Sequence, residues 1–239
     1  MQIAIERMIE SLNGSNNTDF QELYRDATEV PASERYQPSM LNLNIACLTG
    51  NVLLIREMLA GDDVSPQYLP SEKYYWMAYG HTEIVKALLE DERFDPRDDD
   101  AFPFLTACQY GWEESLQLLL EDGRVDPNGH FGDDYPILEA VAVGSVGAVR
   151  LLLRDRRADP TIEDNHCVIL AAERGYEKIV KLLLADRRVD ASDQDNEAIR
   201  LAIAGKHWGV VWLLARDYRV MRSLTSDERY IAEKILRSY

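Results

Sequence analysis

"EKIVKLLLADRRVDASDQDN", residues Glu177 to Asn196, is an apolar run at helical spacing that closes in Asp-x-Arg-x-Asp and a polar, acidic tail. Variants stand earlier in the chain: "TEIVKALLEDERFDPRDDD" begins at Thr82 and "EESLQLLLEDGRVDPNG" at Glu113. A catalytic constellation is normally written once, whereas a phrase written several times is a building block. Self-similarity at a fixed period marks stacked repeats.

Glycines set the period. Gly50, Gly80, Gly111, Gly144 and Gly175 are spaced 30, 31, 33 and 31 residues apart, and a further 31 lands on Lys206. Six copies align on these positions. Four residues earlier stand Ala46, Ala107, Ala140, Ala171 and Ala202, with Trp76 in the second copy. Four and five residues later come the pairs Leu54/Ile55, Ile84/Val85, Ser115/Leu116, Ala148/Val149, Ile179/Val180 and Val210/Val211, followed by a second apolar pair such as Leu88/Leu89 or Leu183/Leu184. That spacing is one face of a helix.

Each unit therefore reads as a short helix ending in a left-handed glycine turn, a second antiparallel helix, and a connector rich in Asp, Pro, Asn and Gly. A unit of this size cannot bury its apolar faces alone, so neighbours must stack into one continuous core with atypical units closing the ends. The predicted fold class is all-α, a helix-turn-helix repeat solenoid of six units over 39–224. An N-terminal helical cap is expected over 1–38, from helical stretches at 3–13 and 19–27 around "GSNNT". A C-terminal capping helix is expected over 225–239, where Thr225 and Glu228 have capping-box spacing.

The stretches "ACLTGNVLLIREML", "AYGHTEIVKALL", "ACQYGWEESLQLLL", "AERGYEKIVKLLL" and "GKHWGVVWLL" resemble the helix-Gly-His-helix signature of the ankyrin repeat, over roughly residues 39–221. The resemblance implies an L-shaped repeat, a β-hairpin or loop finger between units, and a binding surface made of fingers and first helices. The opening Thr-Pro-Leu-His of that family is reduced to "FPFL" at Phe102 and "YPIL" at Tyr135, which puts Pro103 and Pro136 in a first helical turn. Lys73 and Trp76 make the second copy the least regular. The connector Asp-x-Arg-Val-Asp-Pro resembles that of repeats in lower eukaryotes and in viruses of amoebae.

Composition limits the function classes. At 239 residues and 46% apolar the chain can bury a core, and its apolar runs are short and broken by charges, so neither a membrane span nor a secretory leader is expected. A cytoplasmic location follows, or a host's cytoplasm for a viral or effector protein. Cys47, Cys108 and Cys167 lack metal-like spacing and read as core thiols in a reducing compartment. Net charge is −16, with a pI near 4.7, which opposes nucleic acid and anionic membrane and favours a basic protein or peptide. The same charge also keeps a monomer, the default state, in solution.

The connectors carry −12 of that −16. Asp-x-Arg-x-Asp recurs at Asp91/Arg93/Asp95, Asp122/Arg124/Asp126, Asp155/Arg157/Asp159 and Asp186/Arg188/Asp190, with a fragment at Asp217/Arg219. Repetition argues for architecture, with Arg and Asp side chains pairing between units. "DPRDDD" lacks the twelve-residue loop and closing Glu of a calcium hand.

In the ankyrin-like register the two residues before each glycine point into a concave groove. The expected protein-binding residues are Gln109, Tyr110, Val143 and Arg174 with Tyr79, beside connector residues Tyr68, Asp98, Asp99, Phe131 and Asp134. Tyrosines rimmed by acids suit a basic or Arg-bearing segment; the structural reading is that they cover gaps between repeats. Trp208 and Trp212 face outward unless the terminal helix covers them, and otherwise form a second patch or a dimer contact. His81, His130, His166 and His207 show no metal-ligand spacing, and no phosphate loop or nucleophile elbow is present, so neither cofactor nor catalysis is expected. The predicted function is a protein-interaction scaffold. The alternative is an adaptor or host-directed effector, in which the repeats address a target and a terminal segment recruits other machinery.

Overall fold

The computed structural model describes residues 50–61, 81–129 and 135–238, apart from the side chains of residues 98–100 and 102. By backbone contacts the chain divides into two compact units, Met1–Asp95 and Pro96–Tyr239. In the first, α1 (Val52–Leu59) packs on α2 (Thr82–Leu89), burying Ile55 and Met58 with Ile84, Val85 and Leu88. Asn51 caps α1 by accepting the Leu54 amide at 3.1 Å.

The second unit contains α3 (Asp98–Tyr110), α4 (Glu113–Asp122), α5 (Pro136–Ala142), α6 (Val146–Arg154), α7 (Ile162–Glu173), α8 (Glu177–Ala185), α9 (Asp193–Ala204), α10 (Trp208–Leu214), α11 (Tyr218–Ser223) and α12 (Ser226–Leu236). Helices α3, α5, α7 and α9 pack side by side, and α4, α6, α8 and α10 form a second row behind them. These are four consecutive helix pairs in the predicted register. The first helices of the first two predicted copies fall outside the described residues, as does the cap at 1–38.

The core is the helical stripe read from the sequence. Ser115/Leu116, Ala148/Val149, Ile179/Val180 and Val210/Val211 are all buried, and Ala107, Ala140, Ala171 and Ala202 are fully so. Small side chains there let adjacent first helices approach closely. The carbonyls of those alanines also close the helix ends: they accept from Trp112, Ser145, Tyr176 and His207 at 2.9–3.0 Å, as a left-handed C-cap requires. Gly111, Gly144 and Gly175 hold that cap with φ of +69 to +73°, and Lys206 holds it at +59°.

Three local features refine the expectation. Among the described residues there is no strand, so the described connectors take the loop form of the finger and not the β-hairpin form. The aspartate that opens each connector bends the chain back on itself: Asp91, Asp155, Asp186 and Asp217 each accept the amide two residues on, at 2.9–3.0 Å. Second, α7 and α9 begin with three residues in the left-handed region, Glu163–Asn165 and Gln194–Asn196, before their straight segments. Ala101 interrupts α3 in the same way at φ +50°, so Pro103 stands inside the assigned span but two residues past that break; Pro136 takes the first turn of α5 as predicted. Third, the last connector coils into α11. Beyond it α12 starts with the Thr225/Glu228 capping box, both halves formed, and packs on α10. None of the described helices is long and apolar enough to cross a membrane.

Candidate protein-docking surface

The Asp-x-Arg ladder is built differently from the expected pairing between units. Each aspartate is bound by the arginine two residues later in its own connector: Asp91–Arg93, Asp155–Arg157, Asp186–Arg188 and Asp217–Arg219 are held at 2.6–2.7 Å, and Asp122–Arg124 at 2.7 Å. The turn brings i and i+2 together and leaves part of the guanidinium facing the preceding unit. It donates there to backbone: Arg93 to the Leu59 carbonyl at 2.6 Å, Arg157 to Leu120 at 3.0 Å, Arg188 to Ala158 at 2.7 Å and Arg219 to Val189 at 3.3 Å. Leu59 and Leu120 stand in the last turns of α1 and α4, where acceptors lack intrahelical partners, while Ala158 and Val189 stand in the connectors. Arg219 adds a carboxylate link across units, to Asp190 at 3.5 Å. The Arg93, Arg157, Arg188 and Arg219 hydrogen bonds hold their aspartates below the ordinary carboxylate range, against the opposing effect of burial.

Asparagines form a second tie. Asn128 Oδ1 accepts the Asp159 amide at 2.6 Å, and its Nδ2 donates to the Arg157 carbonyl at 2.6 Å. Asn165 accepts the Asp190 amide at 2.9 Å and donates to Asp193. Both ladders are therefore scaffold.

Aromatic and imidazole rings fill the left-handed turns. His81 lies over Gly50, Tyr176 over Gly144 and His207 over Gly175, so close that a Cβ on these glycines would meet the ring at 2.5–3.0 Å. His207 Nε2 lies 2.9 Å from the Glu173 carbonyl oxygen. These histidines are interlocks between successive units. Burial pushes the Cys167 thiol up to about 12 and the Cys108 thiol further, which removes the thiolate needed for nucleophilic work. No group of three or more His, Cys, Asp or Glu able to hold a metal ion exists among the described residues.

What remains free is a row at the C-terminal ends of the first helices. Gln109 and Tyr110 end α3, Val143 caps α5 and Arg174 caps α7. Tyr110 is 63% exposed and Val143 is 49% exposed, while Arg174 is exposed and Gln109 partly so. Tyr110 stacks on Trp112, with ring centroids 5.0 Å apart and planes 9° from parallel. The sequence reading missed Trp112 here: it stands where the family places His, and the left-handed Gly111 between the two aromatics is what makes an i, i+2 pair meet. Asp98 and Asp99 lie in the opening turn of α3. Tyr68, Tyr79, Phe131 and Asp134 lie outside the described residues. Trp208 is 38% exposed at the start of α10; Trp212 is partly buried, with the Arg216 guanidinium 4.6 Å over its ring.

Serial helix pairs, glycine-capped, tied by backbone-directed arginines and carrying an exposed aromatic edge, define a tandem helical repeat module. Residues 73–164 match the family model of ankyrin repeats, in three copies, which supports an ankyrin repeat protein. Repeats of this family generally mediate protein–protein interaction. A search of curated proteins finds no match to the chain.

Proposed function

We propose that the chain is an interaction scaffold that captures a protein or peptide with a basic segment on the surface led by Tyr110. The supporting observation is the exposed Tyr110, stacked on Trp112, with exposed Val143 at the same register position of the adjoining helix. A large ring held in one orientation loses little entropy on binding, and its face attracts Lys or Arg. The net charge of −16 speeds encounter with a basic partner. Gln109 and Arg174 flank that edge.

The test is partner capture by the full chain and by Tyr110→Ala/Val143→Ala. Both side chains are exposed, so folding is retained by circular dichroism while capture falls about tenfold, the range of an interface hot spot. Undiminished capture would overturn the assignment of this surface. An on-rate that does not slow as salt rises would overturn the basic partner.

A further inference from the structure

A second feature, of opposite sign and in the other helix row, is unexplained by that function. Arg150, Arg154, Arg156, Lys181, Arg187 and Arg216 are all exposed on α6, α8 and the turns that follow α6, α8 and α10. The ion pairs of this region engage Arg157, Arg188 and Arg219 instead, and none of these six cations enters one among the described residues. They recur in register. Arg150 and Lys181 stand six residues past the capping glycine, Arg154 and Arg216 ten past the cap position, and Arg156 and Arg187 immediately before the backbone-tying arginine. In "DRR" the second arginine is scaffold and the first has no structural task.

Between α8 and α10 this row opens into a cleft lined by Lys181, Leu184, Arg187, Leu213, Arg216 and Tyr218. Its carboxylates, Asp186 and Asp217, are taken by Arg188 and Arg219, so the unopposed charge is positive. Trp212 supports Arg216 from below, and Tyr218 stands 74% exposed at the rim. The half-buried Leu184 and Leu213 supply an apolar floor.

We propose that this cleft docks an acidic peptide segment of a second protein, with an apolar side chain on Leu184 and Leu213 and carboxylates on Lys181, Arg187 and Arg216. Charge complementarity selects that occupant. A long polyanion such as nucleic acid gains three or so contacts here while meeting the repulsion of the acidic remainder of the chain, whereas a short peptide senses the local cations above all. The scaffold then joins two partners of opposite charge through two separate surfaces, and either can fail experimentally without the other.

The experiment uses the full chain and a short fluorescein-labelled peptide of glutamates around a central leucine pair, followed by fluorescence anisotropy. A lysine peptide of the same design, single-stranded DNA and phosphatidylserine vesicles are parallel probes. The glutamate peptide binds, and the variant Lys181→Glu/Arg187→Glu/Arg216→Glu weakens it about tenfold or more. The control Lys86→Glu/Arg222→Glu/Lys234→Glu changes net charge equally and leaves binding near the native level. Equal weakening by both triples, or no binding of the glutamate peptide, overturns the proposal; so does binding of DNA or vesicles in its place. Should the first triple fail to fold, Arg187→Gln alone, at an exposed turn position, must still weaken the peptide severalfold.

Discussion

His207 lies on Gly175 from the next helix pair: its Nε2 is 2.9 Å from the Glu173 carbonyl oxygen, and a Cβ on Gly175 would come within 2.5 Å of Nδ1. Gly175 also has φ +73°, so the position is closed to other residues twice over, by backbone and by the ring.

Gly175→Ala is accordingly expected to lower stability by about 2–3 kcal/mol, the left-handed cost plus displacement of the imidazole. Lys206 holds the same cap position at φ +59° without being glycine. Lys206→Gly should relieve that cost and raise stability by about 0.5–1 kcal/mol. Urea melts of the two variants check the pair; a destabilising Lys206→Gly would contradict the cap assignment.

Arg188 fastens its own turn and the preceding unit with one planar group, bonding Asp186 through two nitrogens and the Ala158 carbonyl through a third. Arg188→Ala is expected to cost about 1–3 kcal/mol, the range for charge-assisted bonds that are partly exposed. Arg188→Lys should recover less than half of that loss, because one ammonium cannot reproduce the fork. Arg187→Ala, next in sequence but exposed and unpaired, should stay within about 0.5 kcal/mol of the native protein. The contrast in urea melts between neighbours is the check.

Much of this was legible in the residues, and the limits have physical causes. Burial imprints a helical period, so Ile179/Val180 and Val210/Val211 announced the core, and the glycine spacing announced the stacking. The Asp-x-Arg repetition showed that the motif was scaffold but not how it worked. An Asx turn folds i onto i+2, so the pairing is local and the inter-unit reach goes to carbonyls that no sequence pattern marks. The left-handed entries at Glu163–Asn165 and Gln194–Asn196 were equally hidden, since Asp and Asn visit that conformation as single residues and not as runs of three. Of the residues proposed for docking, Tyr110 and Val143 emerged from register alone, whereas the Trp112 stack depends on the backbone reversal at Gly111.

The connector aspartates give the fold a defined acid limit. Hydrogen bonds from Arg93, Arg157, Arg188 and Arg219 lower Asp91, Asp155, Asp186 and Asp217 below 3.8. A depressed folded value means that the contribution is complete above the unfolded value and disappears as pH falls through the folded one. Unfolding free energy should therefore be flat with respect to these groups from about pH 7 to 5 and drop below about pH 4. Asp186→Asn should lower stability at neutral pH and make the acid limb shallower. A variant whose acid limb runs parallel to the native one would show that this carboxylate is not linked to folding.

Asn165 and Asn196 occupy equivalent left-handed positions, yet only the first has both edges of its amide in use. Asn165 Oδ1 takes the Asp190 amide and Nδ2 reaches Asp193. The corresponding amide in the last unit, Met221, bonds the Asp217 carbonyl inside α11, which leaves the buried Asn196 Oδ1 with no donor, while Nδ2 still reaches Ser223 Oγ at 2.8 Å. Substitution by glycine keeps the left-handed backbone and removes only the side-chain bonds. Asn165→Gly should cost about 2–4 kcal/mol, since it also strands partly buried groups, whereas Asn196→Gly loses one bond, removes an orphaned acceptor and should cost about 1 kcal/mol or less. Urea melts give the difference directly. Equal losses would mean that the coiling of the last connector into α11 does not release the asparagine tie, and that the terminal unit is held as the internal ones are.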